Sequence, residues 1–168
     1  MIGGVGATRT EETMSSTAAT ITMQESKAVL AIFVGGLIAG ALDLTAAFLT
    51  FGLNAPRAIA GGLLGPTALH GGTGTYVLGV LLHFFIACSA AAIYYAASRL
   101  LGFMTEHAVV CGVFYGIAVF LMMNLVVLPL SALHFKGPYQ LRGLIQGLLV
   151  HMICIGLPIA LSVKRFSK

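Results

Sequence analysis

The chain has 168 residues, 58% hydrophobic and only 8% charged, with a formal net charge of +4 and a mean hydropathy of +0.99. A soluble domain carries about 25% charged residues, so this composition excludes an ordinary water-soluble globule and points to a bilayer as the solvent. The nine Lys and Arg residues lie scattered at the ends of apolar stretches and form no basic stripe, which argues against nucleic acid as a partner.

Residues 1–27 are rich in Ser, Thr, Gly and Ala and carry five charges, too polar and small-sided to bury a core, so they read as a disordered tail. Met14 and Met23 are alternative starts to Met1. Four apolar stretches follow, at 28–53, 76–98, 108–130 and 141–163. A helix needs roughly 20 apolar residues to cross a hydrocarbon core of about 30 Å, and each stretch is long enough. Hydrocarbon offers no partner to an open strand, so each span is expected to be helical. The expected fold is all-α: an integral membrane four-helix bundle with short connecting loops, a disordered N-terminal tail and a basic tail at 164–168. A competing reading takes 28–38 as a signal-peptide core with Ala39-Gly40-Ala41 as its cleavage site, but the long, partly acidic leader is unlike a short basic n-region.

Residues 99–107 and 131–140 are tight connections. Residues 54–75 are longer, with Pro56, Pro66, six glycines and a half-apolar run at 58–64, and read as a short interfacial helix followed by the turn Gly71-Gly72-Thr73-Gly74. No Lys-Ser/Thr follows these glycines, so they do not complete a P-loop. Basic residues flanking the spans give the orientation. Arg9, Lys27, Arg99, Lys164, Arg165 and Lys168 share the side of both termini, against Arg57, Lys136 and Arg142 on the other, and six against three places both termini in the cytoplasm.

Small residues four apart let helices approach closely in lipid. Gly36 and Gly40 form such a pair in the first span, Gly112 and Gly116 in the third, and Gly143 and Gly147 in the fourth. They predict either a compact intramolecular bundle or a spare face for oligomerisation. Pro129 and Pro158 each remove a backbone donor and are expected to end or kink their helices. Cys88, Cys111 and Cys154 fall within apolar segments at spacings that suit packing better than a disulfide frame or a zinc site.

Ionisable groups inside a membrane cost about 2.5–3.5 kcal/mol for Asp even on the permissive insertion scale, so each calls for an explanation. Asp43 is the single acidic residue within a span, and His83, Asn124, Gln146 and His151 accompany it on the other three. At about 1.5 Å per residue from the Arg57 side, Asp43 lies roughly 15 Å deep, His83 roughly 10–12 Å, Asn124 and Gln146 roughly 8–9 Å, and His151 roughly 16 Å. Asp43 shares a helix side with Gly36, Gly40, Ala47 and Thr50 and is expected to point into the bundle. Tyr76, His83 and Tyr94 share a side of the second span, whereas Gln146 and His151, about 140° apart, cannot both face the axis.

Three readings of this polar core compete: Asp43 fixes the packing through a histidine or the amides; a carboxylate and an imidazole form a path for protons or small solutes; or His83 and His151 hold a metal or haem. Intramembrane catalysis ranks last, because no Ser–His or Cys–His pair sits in a recognisable motif. The expected function is that of a small non-enzymatic membrane protein without a required cofactor, whose partners are the lipid bilayer and a larger membrane complex or a homo-oligomer. The alternative is a minor permease, which at this size needs to oligomerise.

From His83 to Leu130 the chain resembles the YagU-like family of small bacterial inner-membrane proteins, whose biochemical activity is not established. The resemblance rests on His83 eleven residues before Tyr94, the pair Gly112 and Gly116, and Pro129-Leu130 thirteen residues after the second glycine. It implies a bacterial inner-membrane location. Asn124 stands where the family pattern has histidine, and the family's fourth-helix histidine falls near Leu148 rather than at His151, so no histidine chemistry is carried over.

Overall fold

The structure, a computed structural model, describes residues 5–134, 137 and 140–166, with side chains from residue 22 onward. Five helices carry the fold: α1 (Val5–Phe51), α2 (Ala55–Leu64), α3 (Thr73–Leu100), α4 (Ala108–Leu130) and α5 (Leu141–Phe166). A 3-10 segment, Pro66–His70, joins α2 to α3, and a single turn, Phe103–Glu106, joins α3 to α4. No strand occurs among the described residues. Thr22–Phe51 of α1, together with α3, α4 and α5, are long and apolar enough to cross a membrane. The chain is an all-α, multi-pass membrane protein, with Thr22 of α1 and Phe166 of α5 at one end of the bundle and the longer connections at the other.

The spans match the apolar stretches, with ends shifted by a turn or two. α3 begins at Thr73, as soon as the Gly71-Gly72 pair ends, and α1 extends back through the segment read as a tail as far as Val5. No proline interrupts residues 7–51, and Ala, Glu, Met and Gln in the leader are all good helix formers.

Helix α1 is central, packing on α3 along one side and on the second half of α5 along the other, while α4 packs on α5. Backbones touch where glycine permits. A Cβ at Gly36 would stand 2.7 Å from Cys88 Cα, and one at Gly40 2.8 Å from the Phe84 ring, so the first pair seats α3 against α1. At the α4–α5 crossing, a Cβ on Gly116 would stand 2.5 Å from the His151 carbonyl oxygen and one on Gly112 2.9 Å from Ala160 Cβ. Gly156 of α5 completes this contact, since its Cβ would strike the Gly112 carbonyl.

The third glycine pair departs from expectation. Gly147 packs under Phe120, but Gly143 has open space where its side chain would be, because it sits in the first, exposed turn of α5 before that helix reaches α4. Pro129 stands one residue before the end of α4 at Leu130, whereas α5 continues past Pro158 to Phe166. Each follows a wide turn, Met123–Val127 in α4 and His151–Gly156 in α5. In both, the residue just before the proline donates its N–H five residues back, Leu128 to Met123 and Leu157 to Met152. One extra residue in the turn accommodates the missing donor and the ring, as single π turns in helices do.

The core sits at the terminal end. Ala31, Ala91, Tyr94, Ile159, Ala160 and Val163 are essentially inaccessible there. Tyr94 and Tyr115 meet edge to face at 4.9 Å and join α3 to α4, with the Tyr115 hydroxyl donating to the Ala90 carbonyl at 2.7 Å. Ser162 Oγ donates to the Ala31 carbonyl at 2.9 Å, tying α5 to α1. At the loop end, by contrast, Met123–Leu130 and Leu141–Val150 contain no buried position among the described residues.

Helix α2 closes the loop end of α1 and α3. Its Pro56 carbonyl lies against Gly79, where any side chain would collide, and Ala132 N donates to Gly62 O at 2.8 Å, linking α2 to the α4–α5 connection. The short helix expected within 54–75 is present, but of the expected glycine turn only Gly71 and Gly72 lie between helices, because Thr73 and Gly74 already form the first turn of α3.

Candidate functional site

Asp43 and His83 face each other across the α1–α3 contact made by Gly36 and Gly40. The Asp43 Oδ2 to His83 Nε2 separation is 3.9 Å, and the side chains are 17% and 11% exposed, so the pair is largely shielded from its surroundings. His83 Nε2 also lies 2.9 Å from the Gly40 carbonyl oxygen. A carbonyl only accepts, so Nε2 carries the proton and donates it to Gly40. The hydrogen bond is therefore His83 to backbone, and the carboxylate stands at an ion-pair distance too long for a hydrogen bond. Asp43 thus lies at the α1–α3 contact, inside the bundle, as its small-residue face predicts.

The remaining polar residues separate from this pair. Gln146 is exposed on α5, and its Nε2 donates to Thr50 Oγ1 of α1 at 2.9 Å. Thr50 in turn donates to the Ala46 carbonyl at 2.8 Å. Asn124 Nδ2 donates to the Phe120 carbonyl of its own helix at 2.9 Å. His151 Nδ1 lies 2.9 Å from the Gly147 carbonyl of its own helix, and its ring stands edge-on to Phe120 at 5.5 Å. Of the five residues expected to form one polar core, Asp43 and His83 form a largely shielded pair, Gln146 makes a peripheral link to Thr50, and Asn124 and His151 each bond a carbonyl of their own helix at the wide turns. Asn124 lies within the first of those turns and His151 opens the second.

No hydrogen bond, ion pair or ring contact joins His83 to His151 among the described residues, and no group of three or more His, Cys, Asp or Glu side chains there is placed to hold a metal ion. The three cysteines are free and half-buried. At the loop end, Arg57 Nε donates to the Gly71 carbonyl and its guanidinium to Asn54 Oδ1, both at 2.7 Å, with the guanidinium 5.5 Å from the centre of the Tyr76 ring. Arg57 thus fastens the α2–α3 connection in place.

Sequence reasoning missed Thr50 as the partner of Gln146, Gly156 as the third member of the α4–α5 contact, and the Tyr94–Tyr115 bridge. A signal existed for Gly156, which lies one turn beyond Met152 and two residues before a proline, but its partner spacing is not the four-residue pattern sought. No family model, curated protein or solved structure matches the chain.

Proposed function

We propose that this protein is a small non-enzymatic subunit of a bacterial inner-membrane complex, with both termini in the cytoplasm, held to a larger partner through helix α4. The carrying observation is the uneven covering of the spans. Only 17% of the apolar window of α4 is buried, against 33% in α1, and α4 leans on α5 with little backbone contact elsewhere. Phe114, Leu121 and Leu125 of α4 are exposed. Transmembrane helices associate by side-chain packing, and α4 is the span with the most surface left to offer. The six-to-three excess of basic residues on the side of the termini supports the orientation, and the resemblance to the YagU-like family supports the bacterial inner membrane.

Affinity purification of the full chain in mild detergent tests this reading. A larger membrane protein at constant stoichiometry is expected, lost when Leu125 is replaced by Trp. Purification of the chain alone, or with further copies of itself only, would contradict it.

A second reading, a path for protons or a small solute, is favoured by the shielded carboxylate and imidazole of Asp43 and His83. Proton transfer needs an approach of about 2.6–3.2 Å or an intervening water, so the 3.9 Å separation requires a water or a rotamer change. If Asp43→Asn leaves proton or solute flux into proteoliposomes unchanged, this reading is wrong.

A further inference from the structure

Asp43 is the single acidic residue within the apolar stretches, and the chain does not answer its charge. Its side chain is 17% exposed and accepts no hydrogen bond among the described residues. Its ion-pair partner there is His83, at 3.9 Å. The proton on His83 Nε2 goes to the Gly40 carbonyl at 2.9 Å, so the imidazole does not cap the carboxylate with a hydrogen bond. No Lys or Arg stands in residues 28–53, 76–98 or 108–130, and Arg142, exposed in the first turn of α5, makes no ion pair with Asp43. A lone carboxylate away from water is costly, and buried charges are therefore paired or bind a cation. Here the positive charge has to come from outside the chain.

We propose that Asp43 and His83 form a binding site for one monovalent cation of about the size of a water molecule, an alkali-metal or ammonium ion. The charge sets the valence: one carboxylate balances one positive charge. A divalent ion takes six or more oxygen ligands or several His, Cys, Asp or Glu side chains, and no group of three such side chains occurs among the described residues. The atoms on offer are acceptors, namely the two carboxylate oxygens, the second lone pair of the Gly40 carbonyl and, in a ring protonated at Nε2 alone, Nδ1 of His83. Acceptors without donors favour a cation over an anion. The side chains keep only 17% and 11% of their surface open, which suits a small ion and leaves little contact for a larger organic one. This site rests on the same pair as the path reading above but requires binding, not passage, and it requires nothing of α4.

Melting of the full chain in mild detergent reads the binding, because a ligand that binds only the folded state raises the melting temperature as it saturates. Sodium, potassium and ammonium chloride are compared with N-methylglucamine chloride, whose cation is bulky, at constant ionic strength. At ten times the half-saturating concentration, a rise of about 3–6 °C is expected with at least one small ion, and the ion effective at the lowest concentration names the occupant. The rise is expected to vanish in Asp43→Asn and to persist in Glu25→Gln, which removes an exposed carboxylate of α1. Wild-type protein alone also decides the matter: with one ion saturating, a second is expected to add nothing, since both use one site. No rise with any of the three ions, the same rise in Asp43→Asn, or additive rises would overturn the site. Flux into proteoliposomes is scored separately. A saturable rise without flux retains the site and removes the path, and flux without a rise does the reverse.

Discussion

His83 reaches past Asp43 to the backbone: its Nε2 donates to the Gly40 carbonyl at 2.9 Å while the Asp43 carboxylate stands 3.9 Å away. The imidazole thereby ties α3 to α1 at the glycine contact, and the carboxylate gains a nearby hydrogen-bonding dipole in place of water. Removing the ring leaves Asp43 shielded without its neighbour. His83→Ala is expected to lower stability in detergent by on the order of 1–3 kcal/mol, the cost of stranding a buried polar partner. In the double variant His83→Ala with Asp43→Asn, the loss should be smaller than the sum of the single losses, because the two residues are in contact. Thermal unfolding of the four proteins gives the coupling, and strict additivity would show that the two side chains do not act on each other.

The α4–α5 contact depends on three glycines, and the substitutions differ sharply by position. A side chain on Gly156 has nowhere to go but into the Gly112 carbonyl. Gly156→Ala should therefore push the helices apart and cost about 1–3 kcal/mol, the usual range for overpacking. Gly143→Ala meets nothing within 4 Å and should be neutral or stabilising by up to about 1 kcal/mol through helix propensity. Melting temperatures of the two variants in the same detergent make the comparison, and a Gly156→Ala protein as stable as Gly143→Ala would refute the packing described.

The tyrosine bridge stands in for close packing between α3 and α4. Tyr115→Phe keeps the ring contact with Tyr94 and loses only the hydroxyl bond to Ala90. The expected loss is about 0.5–1.5 kcal/mol. Tyr115→Ala also removes the ring and should cost about 3 kcal/mol, the lower end of the range for deleting a buried aromatic, because Tyr115 is part-buried. Unfolding in a denaturing detergent titration ranks the two, and equal losses would mean that the ring contributes nothing to holding α4.

Much of this architecture could be read from composition. Hydropathy alone locates the four spans, because a helix of bilayer length must be apolar throughout, and α4 begins and ends at the residues expected. The placement of Asp43 inside the bundle was also legible, since Gly36 and Gly40 mark the same helix side as the face that approaches α3. The grouping of the polar residues was not. Depth places all five polar residues in the same half of the membrane, but rotation about each helix axis decides what they touch, and the wide turns before Pro129 and Pro158 reset that rotation in α4 and α5. A straight-helix projection cannot carry a phase across such a turn.

The proposed topology places both termini on the cytoplasmic side and the α2–α3 connection on the other. Cysteine labelling in intact cells tests this most directly, with Cys88, Cys111 and Cys154 replaced by Ala and a single cysteine placed at Glu25, before the apolar part of α1 ends in the bundle, or at Thr67, in the connection between α2 and α3. A membrane-impermeant maleimide is expected to label Thr67→Cys in spheroplasts and to label Glu25→Cys only after the membrane is opened. Labelling of both from outside, or of Glu25→Cys alone, would contradict the account.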